Sequence, residues 1–383
     1  MDLISILRKL VSFDVFGGES NIQLVHWIKD YMKEQGVEAH LLYDSSKEKA
    51  LLHCRIGPAV DGGVVLSGHM DVVPVEGQDW DTDPFVLTEK NGKLFGRGSC
   101  DMKGFLACCM SLIPEMLQAD LKKPIYFAFS YDEEIGCRAG DLIAQTLNEF
   151  YPEQIAYAII GEPTLMLPTI GQKGICFYKT EVNGSQGHSS RILQEVSAVH
   201  ESMHLINWLE QKMLQLSVSS VDDRFEPPHT SIHVGKIQGG IATNIIADQC
   251  SFEWDVRTIP TDDLAQLMDT FKQYCAQRME ELRSRFSDFQ IRTIEAHPPV
   301  PALDTSSDSG VLKLLRAIGI NGEEQAVSYA AEAGQFARNG FDSIICGPGS
   351  IEQAHRANEF IEIEQLNHGQ QMIRNLIYVF GDR

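Results

Sequence analysis

Basic residues are scarce in this sequence. Lys and Arg together number 32 against 53 Asp and Glu, which gives a formal net charge of −21 over 383 residues. Nucleic acids and anionic membrane surfaces are bound through patches of Lys and Arg, so we expect neither as a partner. Long apolar runs are missing as well, since none approaches the roughly 18 residues of a transmembrane helix. The acidic excess does not identify a basic substrate, because it also fits a solvated surface.

Cysteine motifs are absent too. The nine cysteines are an odd number, and none of them is spaced Cys-x-x-Cys. Cys108 and Cys109 are adjacent within an apolar run, which predicts buried thiols rather than a disulfide. Reduced cysteines are typical of the cytoplasm. Residues 1–13 have an amphipathic helical pattern without a basic region or cleavage site, so we expect no signal peptide and a cytoplasmic protein.

The chain up to residue 174 alternates short apolar strands with amphipathic helical stretches. Residues 64–66, 124–130 and 157–160 are predicted strands, and Pro114 should interrupt the helix between the first two. This alternation is typical of an α/β domain with a mostly parallel, mixed sheet between helices. In such sheets, ligands bind beyond the C-terminal ends of the strands.

A second pattern occupies residues 175–297, where strands and helices follow the order β-α-β-β-α-β of a ferredoxin-like fold. The α/β pattern then resumes over residues 298–383. We therefore predict a first domain formed by residues 1–174 and 298–383, with a smaller domain inserted between them. Such an insertion is physically easy, because the termini of a domain often lie close together.

Chemistry-bearing side chains recur where predicted strands end. His69 and Asp71 follow the strand at residues 64–66, and side-chain alternation along an extended chain places them on the same side. A carboxylate there can orient an imidazole or raise its basicity, as for a metal-bound His. Asp101 precedes an apolar helical stretch, where negative charge is favoured. Taken singly, a His-x-Asp pair is more often a polar strand cap, and Asp101 a helix cap.

Glu133 and Glu134 directly follow the apolar strand at residues 124–130. Two neighbouring carboxylates repel each other unless cations separate their duties, so one can ligate a metal while the other stays free as a general base. An isolated Glu-Glu pair is more often part of a solvated acidic loop. The apolar strand before this pair weakens that interpretation.

The strand-end residues together form a candidate metal-binding set: His69, Asp101, Glu133, Glu134, Glu162 and His355. Two imidazoles with several carboxylates suit Zn²⁺, Co²⁺ or Mn²⁺ better than Ca²⁺, which prefers oxygen ligands alone. Five ligands can hold two cations about 3.5 Å apart if one carboxylate bridges them. Such a pair binds water, lowers its pKa and stabilises a tetrahedral intermediate.

These residues lie in motifs that resemble the family of dinuclear zinc deacetylases, aminoacylases and carboxypeptidases with an inserted lid domain. The motifs, in the family's order, are SGHMDVVP (67–74), GRGSCDMKG (96–104), DEE (132–134), GEPT (161–164), GHSS (187–190) and GPGSIEQAH (347–355). The resemblance implies a hydrolase with two Zn²⁺ per subunit, with Co²⁺ or Mn²⁺ as alternatives. This sequence departs from the family pattern at Cys100, a position where other small residues are common.

Residue roles follow from the same resemblance. His69 and Glu162 would bind one ion, Glu134 and His355 the other, and Asp101 would bridge the two. Glu133 would be the general base, and Asp71 would orient His69. A cis peptide is typical after the bridging Asp, which predicts one at Asp101-Met102.

The inserted domain carries three further candidates. The resemblance implies a homodimer formed through this domain, with His188 reaching the partner's metal site to stabilise an oxyanion. Two residues would bind the substrate. Asn244 is presented by the turn at Gly239-Gly240, and Arg257 would bind the α-carboxylate of the substrate. From the residues alone, His188 also fits a capped turn, and Arg257 a strand-edge salt bridge with Asp255 or Glu253.

Substrate preference is suggested by YAAEAGQF (329–336) and CGPGSIEQAHRANEFI (346–361), which are most similar to family members that deacetylate N²-acetyl-L-ornithine. Within them, Glu332 suits an N-acyl amino acid that bears an amine and would repel a second carboxylate. An internal salt bridge of Glu332 is an equally weighted alternative.

Other functions stay open at this point. Within the family these are a succinyl-diaminopimelate desuccinylase and a general N-acyl amino acid hydrolase or dipeptidase. The alternative outside this family of hydrolases is an inactive metal- or peptide-binding protein. An intact Glu133 beside intact ligands argues against the inactive protein, because a binder has no use for a free base.

Overall fold

The structure, a computed structural model, describes residues 1–381 and divides into two compact units. We call the first the α/β unit; it comprises Met1–Gly171, Leu303–Ala326 and the chain from Ala331 onward. The second, the inserted unit, comprises Gln172–Ala302 and Val327–Ala330. The sequence pattern predicts the insertion at residues 175–297, whereas in the structure it extends further at both ends and includes the segment 327–330.

The α/β unit is built from the elements that flank the insertion in the chain. Before it come α1 (Leu3–Val11), α2 (Ile22–Glu34), β1 (Ala39–Tyr43), β2 (Ala50–Ile56), β3 (Val64–His69), β4 (Thr88–Lys90), β5 (Lys93–Phe95), α3 (Lys103–Ser111), α4 (Ile113–Gln118), β6 (Ile125–Ser130), α5 (Gly140–Phe150), β7 (Tyr157–Pro163) and β8 (Thr169–Gln172). The inserted unit contributes β9 (Gly174–Asn183), β10 (Gly187–His188), α6 (Ala198–Ser219), β11 (Ser231–Gly239), β12 (Ile245–Ile246), β13 (Gln249–Thr258), α7 (Leu264–Leu282) and β14 (Gln290–Glu295). The chain then returns through β15 (Leu303–Asp304), α8 (Gly310–Ala317), β16 (Gln325–Val327), α9 (Ala333–Arg338), β17 (Asp342–Gly347), β18 (Phe360–Glu362) and α10 (Ile363–Phe380).

A nine-stranded sheet organises the α/β unit. Its order is β1-β2-β6-β3-β7-β17-β8-β15, with β16 beside β8. The central strands β6, β3, β7 and β17 are parallel, while β1 and β2 on one side and β8 on the other pair antiparallel. The predicted α/β architecture around a mixed sheet is therefore confirmed, and its parallel centre places the ends of β3, β6 and β7 at one edge.

Burial explains why the central strands are so apolar. Every residue of β3 and β6 is buried, as expected for strands covered on both faces. Helix α3 is apolar all round because it packs against both α1 and α10. A new helix starts at Ile113, so the predicted interruption at Pro114 is confirmed. All nine cysteines are buried free thiols, as predicted for Cys108 and Cys109.

The inserted unit has the predicted ferredoxin-like order. Its four antiparallel strands are arranged β11-β13-β9-β14, and a further short pair joins β10 to β12. Helices α6 and α7 pack on the sheet around an apolar cluster that includes Phe252, Trp254 and Phe271. Along the 381 described residues, no helix is both long enough and apolar enough to cross a bilayer.

Candidate metal centre

Three neighbouring strands of the parallel centre bring the predicted metal-binding side chains together. His69 is the last residue of β3 and pairs with Ser130, the last residue of β6. The turn after β6 carries Glu133 and Glu134, and β7 carries Glu162. All of these residues belong to the α/β unit, as do Asp101 and His355. The structure thus gathers them at the edge where α/β sheets bind ligands.

His69 is prepared for a cation by its own hydrogen bonds. Its Nδ1 lies 2.9 Å from the main-chain oxygen of Asp71. A carbonyl oxygen can only accept, so Nδ1 carries the proton and the Nε2 lone pair is left free. Nε2 lies 3.1 Å from Oδ1 of Asp101. Because a neutral Nε2 and a carboxylate are both acceptors, a proton or a metal ion must stand between them.

Asp101 lies between the two imidazoles. While Oδ1 faces His69, Oδ2 is 3.7 Å from Nε2 of His355, and that nitrogen is also 2.8 Å from Oε2 of Glu134. The peptide bond Asp101-Met102 is cis, as predicted. A carboxylate between two imidazoles is the arrangement a bridging ligand requires.

Glu162 provides a test of whether a cation fits. Its Oε1 is buried, lies 3.9 Å from Nε2 of His69, and has no hydrogen-bond partner. A buried carboxylate oxygen without a partner is costly unless it coordinates a cation. Among residues 1–381, no Lys or Arg forms an ion pair with Asp101, Glu133, Glu134 or Glu162. The residues present therefore fit divalent cations.

The protonation of the acidic groups reflects the same excess of negative charge. Burial, together with Glu134 and Asp101, raises the pKa of Glu133 to about 8. Burial and Asp101 raise the pKa of Glu134 to about 7. The hydrogen bond to Glu134 raises the pKa of His355 to about 9. Cations would displace these protons, because metal ligands must be deprotonated.

Two groups of side chains bring ligand atoms within 4.8 Å of one another: His69 with Asp101 and Glu134, and His69 with Glu133 and Glu162. The first group matches three of the ligands that the resemblance implies. The second includes Glu133, which the sequence analysis assigned as the base. Proximity alone thus leaves Glu133 within reach of a cation as well as of a bound water.

Asp71 contacts His69 differently from what the sequence suggested. Its carboxylate Oδ1 is 3.7 Å from Nδ1 of His69, beyond hydrogen-bond distance, and the main-chain oxygen makes the bond instead. The two carboxylate oxygens accept the main-chain N–H groups of Glu133 and Glu134 at 3.2 and 3.1 Å. Asp71 therefore links His69 to the turn that carries both glutamates.

Glu133 has two buried neighbours, Cys137 and Glu332, and only Glu332 was singled out from the sequence. The thiol of Cys137 donates to Oε1 of Glu133 at 3.0 Å, a contact that no sequence pattern predicted. Cys137 has a positive φ of 49°, and this local turn of the backbone brings the thiol back to the carboxylate. Glu332 is 1% exposed, and its Oε1 has no hydrogen-bond partner. Burial, together with Glu133, raises its pKa to about 8.

The internal salt bridge considered for Glu332 is not observed. No Lys or Arg of the described part of the chain pairs with it, and the basic side chain nearest in sequence, Arg338, pairs with Asp141 at 2.9 Å. Glu332 instead immediately precedes α9, a short helix that the sequence analysis missed. Its carboxyl group is thus a buried acid without a basic partner.

The three remaining candidates lie in the inserted unit. His188 is exposed, and its Nδ1 contacts the Ser190 hydroxyl at 2.8 Å. Asn244 is its neighbour along the main chain, since the N–H of Ser189 donates to the main-chain oxygen of Asn244 at 3.0 Å. Arg257 lies with its Nε 3.5 Å from Oδ1 of Asp255, which is the strand-edge pair weighed as an alternative. The structure therefore brings His188 and Asn244 together within this unit.

The fold and the ligand set fit a metal-dependent enzyme, and comparison with known proteins shows that its family hydrolyses amide bonds. The sequence profile of peptidase family M20/M25/M40 matches residues 65–379. The chain belongs to this family.

Relatives and solved structures agree with that placement. The chain is 32% identical over 368 residues to an acetylornithine deacetylase of Myxococcus xanthus, covering 94% of this chain and 92% of the relative. It is 30% identical over 363 residues to an acetylornithine deacetylase of Shigella sonnei, with the same coverage. An M20 metallo-carboxypeptidase of Sulfolobus solfataricus has the same fold, with a TM-score of 0.77, 17% identity, and 99% coverage of both chains. A dinuclear metal-binding M20 peptidase of Bacillus subtilis superposes with a TM-score of 0.66 at 15% identity, covering 99% of this chain and 97% of its own.

Proposed function

We propose that the protein hydrolyses N²-acetyl-L-ornithine to L-ornithine and acetate, a step of arginine biosynthesis, with two zinc ions per subunit. The observation that carries the metal-dependent part is Asp101 between His69 and His355, beside a Glu162 oxygen without a partner. The two relatives named as acetylornithine deacetylases, each covering 94% of the chain, support the substrate. The cytoplasmic location stays part of this proposal.

The ligands would be His69 and Glu162 for one ion, Glu134 and His355 for the other, with Asp101 between them. When bound, the ions would supply Lewis acidity and lower the pKa of a water molecule. Zinc is the choice that best suits two imidazoles and three carboxylates, and Co²⁺ or Mn²⁺ would be accepted by the same donors.

Glu133 is the general base of the proposed reaction. It takes a proton from the attacking water as the new C–O bond forms at the acetamide carbonyl carbon. It returns that proton to the nitrogen as the C–N bond breaks, so acetate and an amine leave. A raised pKa supports this role, because a base that operates near neutral pH needs one. The Cys137 thiol fixes one oxygen of the carboxylate.

Glu332 is our candidate for recognising the side-chain amine of ornithine. It is buried close enough to Glu133 for the two to influence each other's charge, and it lacks a basic partner. An ammonium group beside it would restore its negative charge and form a charge-assisted contact. Such contacts are worth about 1.5 to 3 kcal/mol, which is enough to choose between substrates.

The experiment compares three substrates side by side. Purified protein loaded with Zn²⁺ or Co²⁺ is assayed with N²-acetyl-L-ornithine, N-succinyl-diaminopimelate and a neutral N-acetyl amino acid, with and without chelator. We expect a strong, chelator-sensitive preference for acetylornithine. Preference for the succinyl substrate would overturn the specificity and keep the site. Absence of turnover with two metals bound would favour the inactive binding protein.

Glu332→Gln tests the specificity residue separately. The amide keeps the shape and loses the charge, so kcat/KM for acetylornithine should fall roughly 10- to 100-fold. Activity on the neutral N-acetyl amino acid should change little. An equal loss on both substrates would mean that Glu332 supports the fold or Glu133 rather than the amine.

A dipeptidase or a general N-acyl amino acid hydrolase is the second candidate function. The observation in its favour is that solved structures with this fold include peptidases, such as a human carnosine dipeptidase with a TM-score of 0.68 at 17% identity. Adding a dipeptide to the same assay distinguishes it from the deacetylase.

We further propose a homodimer formed through the inserted unit. Strand β11 lies at the edge of its sheet, where its outer backbone groups can pair with another strand. The apolar side chains of Ile237 on β11 and Met203 on α6 are 55% and 56% exposed. His188 as an oxyanion donor, and Asn244 and Arg257 as substrate-binding residues, stay predictions tied to this assembly.

A further inference from the structure

A buried ion pair outside the ligand set connects the two loops that carry Asp101 and His355. Arg97 and Glu359 are each 1% exposed, and Nη1 of Arg97 lies 2.7 Å from Oε2 of Glu359. Neither residue is assigned a role in the proposed reaction. Because buried charged pairs cost desolvation free energy, an apolar pair would serve stability as well. Stability alone therefore does not explain this ion pair, and we look for its role at the metal centre.

Glu359 holds the Asp101 loop by its main chain. Besides Arg97, its carboxylate accepts the N–H groups of Gly98 at 3.0 Å, Cys100 at 2.9 Å and Asp101 at 3.1 Å. All the donors converge on one carboxylate, so the path of the chain into Asp101 is fixed by a single side chain. Glu359 itself immediately precedes β18, which pairs with β5 just before this loop.

Arg97 extends the same network to the His355 loop. Its Nη1 reaches the main-chain oxygen of Arg356 at 3.3 Å, and its Nη2 donates to Oε1 of Gln78 at 2.6 Å. Gln78 in turn donates through Nε2 to the main-chain oxygen of His355 at 3.0 Å. The guanidinium also lies 5.2 Å from the ring centre of Trp80. An unbroken chain of hydrogen bonds thus joins Asp101 to His355.

The two sides of the metal centre are supported unequally. His69 and Glu162 lie on central strands of the sheet, so the sheet itself fixes them. His355 lies on a loop with its side chain 58% exposed. Its main-chain oxygen has a partner in Gln78, so its position depends on the network rather than on the sheet.

We infer that Glu359, Arg97 and Gln78 are positioning residues that hold His355 against Asp101 and thereby set the affinity of the cation bound on the His355 side. This inference rests on the proposed ligand set and goes beyond it by separating the two ions. Loss of outer hydrogen-bond partners commonly lowers metal affinity 10- to 100-fold. Asp101 is shared by both ions, but His355 serves only one of them and, unlike His69 and Glu162, depends on the network, so the larger loss should fall on the ion bound by His355.

The test measures metal binding and does not use a substrate. Metal-free protein is titrated with Co²⁺ followed by visible absorption, and with Zn²⁺ in competition with a chromophoric chelator. For Arg97→Lys, which keeps the charge but loses the planar fork, we expect the ion bound on the His355 side to lose roughly 10- to 100-fold in affinity and the other ion to change little. One of the two binding steps should therefore weaken and the other stay the same. Arg374→Lys is the matched control, since Arg374 pairs with Glu115 at 2.9 and 3.0 Å on the exposed surface.

Gln78→Leu provides a second variant if Arg97→Lys fails to fold, because it leaves the buried ion pair intact. A double-mutant cycle with His355→Ala then shows whether Gln78 acts through His355. We expect Gln78→Leu to weaken the ion bound on the His355 side in the wild-type background and to have no further effect once His355 is removed. Unchanged affinities of both ions, equal loss of both, or additive effects in the cycle would overturn the inference. None of these outcomes depends on which amide the enzyme hydrolyses.

Discussion

At the scale of single residues, the division of labour between Glu133 and Glu134 is the sharpest question. Both are half-buried near Asp101. The Glu134 carboxylate hydrogen-bonds to His355, whereas the hydrogen bond of the Glu133 carboxylate in the described part of the chain comes from the thiol of Cys137. That difference supports Glu134 as the ligand and Glu133 as the base.

Glu133→Ala should therefore abolish turnover while the metal content is retained. General base catalysis contributes about 10²- to 10⁴-fold, so kcat should fall by at least that range. The measurement is kcat for acetylornithine together with zinc per subunit by atomic emission. Equal loss of metal would make Glu133 a ligand, in keeping with its proximity to His69 and Glu162.

Glu332 gives a pH dependence of stability whose sign can be worked out. Burial raises its pKa in the folded protein to about 8 from an ordinary value of 4.5. The folded state therefore binds this proton more tightly than the unfolded chain. The resulting stabilisation is complete below the unfolded value and is lost as the pH rises through the folded one.

Glu332→Gln has no such proton. The free energy of unfolding of the wild type, relative to this variant, should fall by about 1.4 kcal/mol per pH unit between roughly pH 5 and pH 8 and then level off. Urea unfolding of both proteins in chelator, at several pH values, measures this difference. A difference that does not vary with pH would show that Glu332 does not change its protonation on unfolding.

At the scale of elements, the turn between β6 and α5 depends on Asp71. The Asp71 carboxylate accepts the N–H groups of Glu133 and Glu134, while the bond to His69 comes from its main-chain oxygen. The side chain and the main chain of one residue thus serve different parts of the centre.

Asp71→Asn separates these two contributions. The amide presents an NH₂ group to one of the two N–H donors, so the turn shifts, and a shift of about 1 Å can cost 10²-fold in rate. His69 keeps its main-chain hydrogen bond, so the ion it holds should be retained. We expect kcat to fall roughly 10- to 100-fold with at least one zinc still bound. Complete loss of zinc would mean that the carboxylate, and not the main chain, orients His69.

Short elements were the ones that sequence patterns did not predict. Strands β4, β5 and β18 have three residues each, too few for a period of two to be visible. Strands β4 and β5 form a local hairpin, and β18 joins it because Phe360 pairs with Phe95 across more than 260 positions of the chain. That pairing brings Glu359 to the Asp101 loop.

At the scale of the whole molecule, assembly is the property that the inserted unit should control. If β11 edges pair across a dimer, Ile237→Lys combined with Met203→Lys places charges in an apolar contact. Sedimentation should then show the 42.8 kDa subunit alone instead of twice that mass. Tyr378→Lys in α10, a side chain 64% exposed in the α/β unit, is the control and should leave the mass unchanged. A monomeric wild type, or a variant that stays dimeric, would contradict the dimer proposal.

The sequence by itself determined the class of fold, the family and the residues that the parallel strands bring to one edge. Apolar runs ending in His69, Glu133 and Glu162 predict that edge, because strands of a parallel sheet end on the same side. Only the tertiary structure decided how these groups are held. It directs the Asp71 carboxylate to the turn, leaves Glu332 without a basic partner, and joins Asp101 to His355 through Glu359, Arg97 and Gln78. Those contacts join residues distant in sequence, and local patterns carry no information about which distant groups will meet.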